Sequence, residues 1–553
     1  MSPRHGWRHQ AWLVVVAVVF ALAAARGPLA AGDPTGAIEY RLSVPAPDQH
    51  WLGVELTLTD LPAVPLELHM SRSSPGRYAL HNFISAVSHL DVLDAAGRPL
   101  AVTGPDAAGW TVPAHPSTVR VRYRVRGDRV DGTYLGVDAT HAHINMPAAI
   151  LWAKGQDRRP IRVTFEPPAG SGWRVATQLL PTASPLAFTA PNLQYLMDSP
   201  SELSTFTTRS FVIRDATRSA TFRLALHHAG TAADADAYAR TLERLAGEAT
   251  AVFGALPAFE SPEYTFITDY LPTALGDGME HRNSTVLTSG SSLASAPQPL
   301  AEKAAHEVFH AWNIERIRPQ TLEPFDFDRA NVSGELWLGE GVTNYYGRLL
   351  GARAGITPVE EVMAALGESI AQVTHGAGRQ RRSVVEMSRL AAVVDGAPPE
   401  AKAGIEGGFL SYYTWGEVIG LALDLSLRER SQHAVSLDTL MQALWQRFGA
   451  PQGEPGYVVR GYGNDDVETT LAEVSGDEAF ARNFMERYVR GRDVPDFASL
   501  VAPAGFVLQD RGAARKGVDE PARLALVPVS HLTPAQRAFR EQWMGPHRPG
   551  ARN

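Results

Sequence analysis

The sequence predicts a multidomain α+β protein, with a sandwich-like β domain first and a mainly helical region behind it. Three observations predict this. The chain has 553 residues, too many for one ordinary domain. From about residue 36 to 228, short segments alternate apolar and polar residues at period two, with turn clusters between them. Beyond that, apolar residues recur at spacings of three and four, the helical period.

The first element is a basic start, Arg4, His5, Arg8 and His9, followed by an apolar run over residues 11–25. A membrane-crossing helix takes about 20 such residues. The run is shorter and small residues follow it, so residues 1–31 read as a cleavable export signal, cut after Ala25 or Ala31. The expectation is a periplasmic or secreted protein with no stable membrane insertion after cleavage.

Residues 32–230 read as the β-rich domain. Its clearest strand is Val119-Arg120-Val121-Arg122-Tyr123-Arg124-Val125, where every second residue is apolar. Similar segments lie at 38–44, 52–58 and 221–227, and turns at Ala96-Gly97-Arg98-Pro99 and Pro167-Pro168-Ala169-Gly170 separate them. Residues 231–350 open with an amphipathic helix on Tyr238, Leu242, Leu245, Ala249 and Val252, then a strand over 264–268. Residues 351–508 read as helical. Thr357-Pro358-Val359-Glu360 resembles a capping box with proline at the first helical position, opening a helix to residue 370. Further helices are expected at 415–427, 467–471 and 478–489. Residues 509–553 are rich in Arg, Pro, Gly and Ala and read as a partly disordered tail, with a short helix from Thr533-Pro534-Ala535-Gln536.

Composition narrows the function. A formal net charge of −8 argues against a nucleic-acid partner. The absence of cysteine removes disulfides, thiolate metal sites and thiol nucleophiles. A transition metal here must be held by His and carboxylates.

One segment has that chemistry: His306-Glu307-Val308-Phe309-His310. Residues four apart share one helical face, so His306 and His310 can present two imidazoles to one ion. Glu307 then reaches the attacking water rather than the metal. The flanks Ala304, Ala305, Ala311 and Trp312 are apolar, so unpartnered imidazoles would be costly there. A catalytic zinc takes three protein ligands and leaves one position open. A metzincin would need glycine at position 313 and histidine at 316, whereas the chain has Asn313 and Arg316. Glu335 and Glu340 are the remaining candidates for third ligand. Glu340 lies inside the apolar Leu336-Trp337-Leu338-Gly339-Glu340-Gly341 run and is preferred, because a buried carboxylate wants a cation. His141 and His143 also share one face of an expected strand. No carboxylate cluster accompanies them in sequence, so a second metal is not expected there.

At these residues the chain resembles the glycyl aminopeptidase family of zinc metallopeptidases, of the type with a downstream glutamate ligand. The resemblance rests on 306–319, on 336–341, on Gly278-Met279-Glu280-His281-Arg282-Asn283-Ser284-Thr285, and on Pro191-Asn192 with Asp198-Ser199-Pro200. It implies a thermolysin-like catalytic domain between the β and helical domains. It implies one Zn2+ on His306, His310 and Glu340, with Glu307 as general base. It further implies that Gly278, Met279 and Glu280 contact the substrate, Glu280 anchoring its free amine. Tyr413, in Tyr412-Tyr413-Thr414-Trp415-Gly416, fits the tyrosine that stabilises the oxyanion, although Trp415 stands where the family has Lys; Tyr345 and Tyr346 are rivals.

Asp277 precedes the Gly278 position where glycine is usual, and is expected to reinforce amine binding or narrow the site. Asn313 and Arg316 are expected to hydrogen-bond around the metal ligands. The family usually carries a C-terminal PDZ domain, and the roughly forty residues after Leu508 fall short of one. The implied activity is release of small N-terminal residues, Gly or Ala, from peptides. The alternatives are an endopeptidase or oligopeptidase with the same centre, or a silent peptide-binding envelope protein.

Overall fold

The computed structural model describes residues 36–510 and 524–546. The expected export signal lies outside them. No helix among the described residues is long and apolar enough to cross a membrane.

The alternating segments form the β domain. In Val119–Arg126 the even positions are polar and outward while Val119, Val121, Tyr123 and Val125 are buried. This strand pairs antiparallel with Trp51–Leu58, which pairs with Ile38–Ser43, inside a seven-stranded sheet. Three- and four-stranded sheets pack around it, sharing a core that includes Leu42, Leu52, Val121, Phe165 and Trp173.

A separate five-stranded sheet follows, in the order Thr207–Arg214, Ser219–His228, Glu263–Tyr270, Ser284–Ser289, Asp277–His281. Its first two strands fall before residue 230, so the expected β domain runs too far. Period two shows that a segment is a strand but not which sheet it joins. Here Ser219–His228 pairs in parallel with Glu263–Tyr270, and parallel pairing needs a crossover. Helix Ala232–Phe253 supplies it, opened by a Thr231–Asp234 capping box and closed by Gly254 at φ 70°.

The expected boundary at 350 falls inside helix Thr343–Arg353. One continuous core joins the five-stranded sheet to the helical region, from Phe211 to Met544. The capping box at Thr357 does not form. Pro358 takes the cap position instead of the first helical turn, Thr357 Oγ1 makes no hydrogen bond, and the helix runs Val359–His375. The described part of the expected tail is packed, not loose. Strand Leu524–Pro528 pairs with Phe506–Asp510, and helix Pro534–Met544 buries Phe539 and Trp543. Trp543 Nε1 donates to the Tyr345 hydroxyl at 2.8 Å and its carbonyl accepts from Arg353 at 3.1 Å. Composition hid this because a few well-placed aromatics among polar residues are enough to dock a helix.

Candidate metal centre

Helix Pro297–Phe309 carries His306 in its last turn, and His310 follows as its C-cap. The two imidazoles meet with Nε2 atoms 2.9 Å apart. Glu340 comes from a π-helical turn, Trp337–Val342, that runs into helix Thr343–Arg353. Glu340 Oε2 lies 3.5 Å from His306 Nε2 and 3.3 Å from His310 Nε2. The three expected ligands therefore converge. Glu335 does not join them: it accepts hydrogen bonds from Asn464 and Ser333, each at 2.8 Å.

Glycines bring these pieces close. A Cβ on Gly341 would lie 2.4 Å from Gly416 Cα, and one on Gly416 would lie 2.1 Å from the Trp337 carbonyl oxygen. The π turn and helix Tyr412–Ser431 thus touch backbone to backbone, which sets Tyr413 beside the site. Its ring stacks near His306, with centroids 6.2 Å apart. The rivals point elsewhere: Tyr345 donates to Asp424 at 2.7 Å and Tyr346 to Asp438 at 2.8 Å.

A cation fits this donor set. His310 Nδ1 donates to the Asn313 carbonyl at 2.9 Å, so its Nε2 lone pair faces the cluster. Tetrahedral zinc with bonds of about 2.1 Å spaces its ligand atoms about 3.4 Å apart, close to the separations found here. Asn313 acts on both sides, because its side chain also donates to the Leu338 carbonyl and Thr343 hydroxyl at 2.9 Å, holding the π turn. Arg316 braces the turn after strand Asp277–His281 rather than the metal-ligand candidates, donating to the Arg282 carbonyl at 2.7 Å and Asn283 Oδ1 at 2.9 Å.

Glu307 is buried beside the cluster, and its Oε2 has no hydrogen-bond partner. Glu280 stands on the edge strand Asp277–His281, within 4.8 Å of ligand atoms of both Glu307 and His310. Gly278, one step along the same face, allows this approach: a Cβ there would lie 2.2 Å from Glu307 Oε1. Burial pushes the Glu307 carboxyl up to about 8, with His310 pulling it down and Glu280 and Glu340 adding to the rise. Burial likewise pushes Glu280 up to about 7, against the pull of His310. Burial would also raise Glu340, but the two imidazoles hold it well below the usual carboxylate range. The site is an acidic well that favours cations.

Four findings go beyond or against the sequence reading. Met279 points away from the site: its side chain packs with Ile267 and Val286, and Thr285 occupies its carbonyl at 2.9 Å. Strand alternation forces this once Gly278 and Glu280 face the metal ligands. Asp277 is paired with Arg77 and accepts from the Gly132 amide at 3.1 Å, so it buttresses the β domain instead of binding amine. Tyr78, unnoticed in the sequence, donates its hydroxyl to Glu340 Oε1. Its loop turns at Gly76, φ 78°, where a Cβ would be 3.1 Å from Glu280 Oε2. The Ser74-Pro75-Gly76 signal is an ordinary turn and gives no hint of that contact. The Asp198 motif is accounted for: it accepts from His281 at 2.8 Å and the Arg282 amide at 3.0 Å, fixing the edge strand. Lastly, His141 and His143 do have carboxylate neighbours, Glu202 and Asp269, brought in from distant strands.

Residues 39–205 match the family model described as Peptidase M61 N-terminal domain, and residues 300–419 match M61 glycyl aminopeptidase. Together they span just over half of the chain. No curated protein matches it. Among solved structures, an aminopeptidase N family protein from Idiomarina loihiensis is similar, with 24% identity and TM-score 0.76 over 89% of this chain and 86% of that one. An M1 zinc metallopeptidase from Deinococcus radiodurans aligns with 17% identity and TM-score 0.49, over 83% and 94%.

Proposed function

The chain belongs to the glycyl aminopeptidase family of zinc metallopeptidases, and from that premise we propose that it removes small N-terminal residues from peptides. The observation that carries the exopeptidase reading is the Glu280 carboxylate, fixed within 4.8 Å of Glu307 and His310. A buried anion one residue length from the scissile bond recognises a free ammonium and sets the register of cleavage. The 74–78 loop closes over Glu280, which supports a preference for Gly or Ala by leaving little room.

His306, His310 and Glu340 would hold the zinc, which when bound acidifies water and polarises the scissile carbonyl. Glu307 accepts the proton at its unpaired Oε2 and returns it to the leaving amine. Tyr413 donates its hydroxyl to the developing oxyanion. Tyr78 and Asn313 hold Glu340 and its turn in place. The basic start and short apolar run at the N-terminus support export.

The test compares Ala-Ala-Phe with its N-acetylated twin. The free-amine peptide should be cleaved at least about a hundredfold faster, as expected when a charged anchor is left unpaired. Equal rates would replace this reading with an endopeptidase.

A further inference from the structure

At the seam between the two cores, five side chains converge. His141 and His143 lie on strand His141–Ile144, and Glu202 sits opposite His143 on Ser201–Ser204. His227 and Asp269 face one another across the paired strands Ser219–His228 and Glu263–Tyr270. The first three belong to the β domain and the last two to the catalytic sheet. Four of the five side chains are fully buried and that of His227 is 12% exposed.

Every Nδ1 in the group faces both carboxylates. His141 Nδ1 is 3.4 Å from Glu202 Oε1 and 3.7 Å from Asp269 Oδ1. His143 Nδ1 is 3.8 Å from Glu202 Oε2 and 3.4 Å from Asp269 Oδ2. His227 Nδ1 is 3.7 Å and 3.5 Å from Glu202 Oε1 and Asp269 Oδ1. None is a hydrogen bond: all four carboxylate oxygens and all three Nδ1 atoms are buried without a hydrogen-bond partner.

Such a group is stable only if something sits inside it. An ion-pair network would contract to hydrogen-bond lengths of about 2.8 Å. Two buried carboxylates without a cation would also need two of the imidazoles protonated. One divalent cation balances both carboxylates and leaves the imidazoles neutral, as ligands must be. The spacing matches the edges of a coordination shell with bonds of about 2.1–2.3 Å. It is also the spacing of the first centre, where carboxylate and imidazole stand 3.3 and 3.5 Å apart. Beyond the cluster, His141 Nε2 faces Asp138 Oδ2 at 3.5 Å, the outer carboxylate that commonly orients a ligating imidazole.

We propose that His141, Glu202, His227 and Asp269, with His143 beside them, hold a second divalent cation of the zinc class, in a closed site that ties the β domain to the catalytic sheet. The donors are all nitrogen and oxygen, which suits zinc over softer or purely oxygen-seeking metals. Four of the five side chains are fully buried and His227 is only 12% exposed, which leaves little room for a substrate, so the site is structural. It holds in register the domain that sends Tyr78 and Gly76 into the first centre.

The test is metal content per chain in full-length protein saturated with zinc and freed of excess by gel filtration. Wild type should hold about two equivalents and H306A/H310A about one, since structural zinc exchanges slowly. Adding H227A to that variant should abolish the remaining equivalent. Chelation should still lower the Tm of H306A/H310A by several degrees. A folded H306A/H310A protein without zinc would overturn the proposal, as would full retention by the triple variant. If H227A fails to fold, anomalous scattering at the zinc edge decides on wild-type crystals. A peak within bonding distance of His141 and His227 Nδ1 supports the site, and its absence beside a peak at His306 overturns it.

Discussion

The two clusters of imidazoles and carboxylates in this chain use the same residue types at the same spacing, yet they differ in what stands beside them. At the first, two further carboxylates, Glu280 and Glu307, stand within 4.8 Å of His310, beside the three converging residues His306, His310 and Glu340. At the second, His141, Glu202, His227 and Asp269 gather with His143 beside them, and Asp138 faces only the outer nitrogen of His141. Ligand chemistry alone therefore does not make a reactive centre. An open coordination position, a base next to it and an anchor beyond it do. The closed cluster should govern stability and the open one rate.

The comparison breaks most sharply at Glu307. E307Q removes the base but keeps size and hydrogen bonding, so kcat should fall by about 10³-fold while zinc content and Tm hold. Kinetics on an alanyl peptide with parallel metal analysis checks this. A fall of less than tenfold would remove Glu307 from proton transfer.

Tyrosine changes sharpen the roles within the open centre. Y413F should lower kcat by about 10²-fold with zinc retained, the loss expected of one oxyanion donor. Y78F removes a hydrogen bond to a ligand, so it should weaken zinc affinity by about tenfold, read by competition with a chelating dye. If Y78F lowers kcat at saturating zinc more than Y413F does, the donor is Tyr78. G278A comes next. Its Cβ must displace Glu307, so kcat should drop by some tens-fold with little change in zinc binding.

What the sequence reveals follows the same division. The open centre was legible because helical period four places His306 and His310 on one face within five residues, and Glu340 lies in an apolar run that a free carboxylate would not tolerate. The strand alternation of residues 119–126 was equally plain. The closed cluster was not, because Glu202 and Asp269 reach His141 only through sheet pairing between segments far apart in the chain. Tyr78 was hidden for the same reason, lying 262 residues before its partner Glu340. The docking of Trp543 and the sheet that claims residues 207–228 depend likewise on non-local contacts that local periodicity does not encode.

The smallest effect on rate is expected at His227. H227A removes one imidazole at the exposed rim of the closed cluster, which contains neither Glu307 nor Glu280. Well below the melting transition, kcat and KM for an alanyl peptide should stay within about twofold of wild type, since no group touching the substrate has changed. Tm should nevertheless fall by several degrees, because the buried carboxylates of Glu202 and Asp269 lose one of the imidazoles gathered around them. The pairing of an unchanged rate with a lowered Tm is what separates a staple from a catalyst. A tenfold loss of kcat with Tm intact would mean that the seam between the domains is part of the working site, and the division between the two clusters would fail.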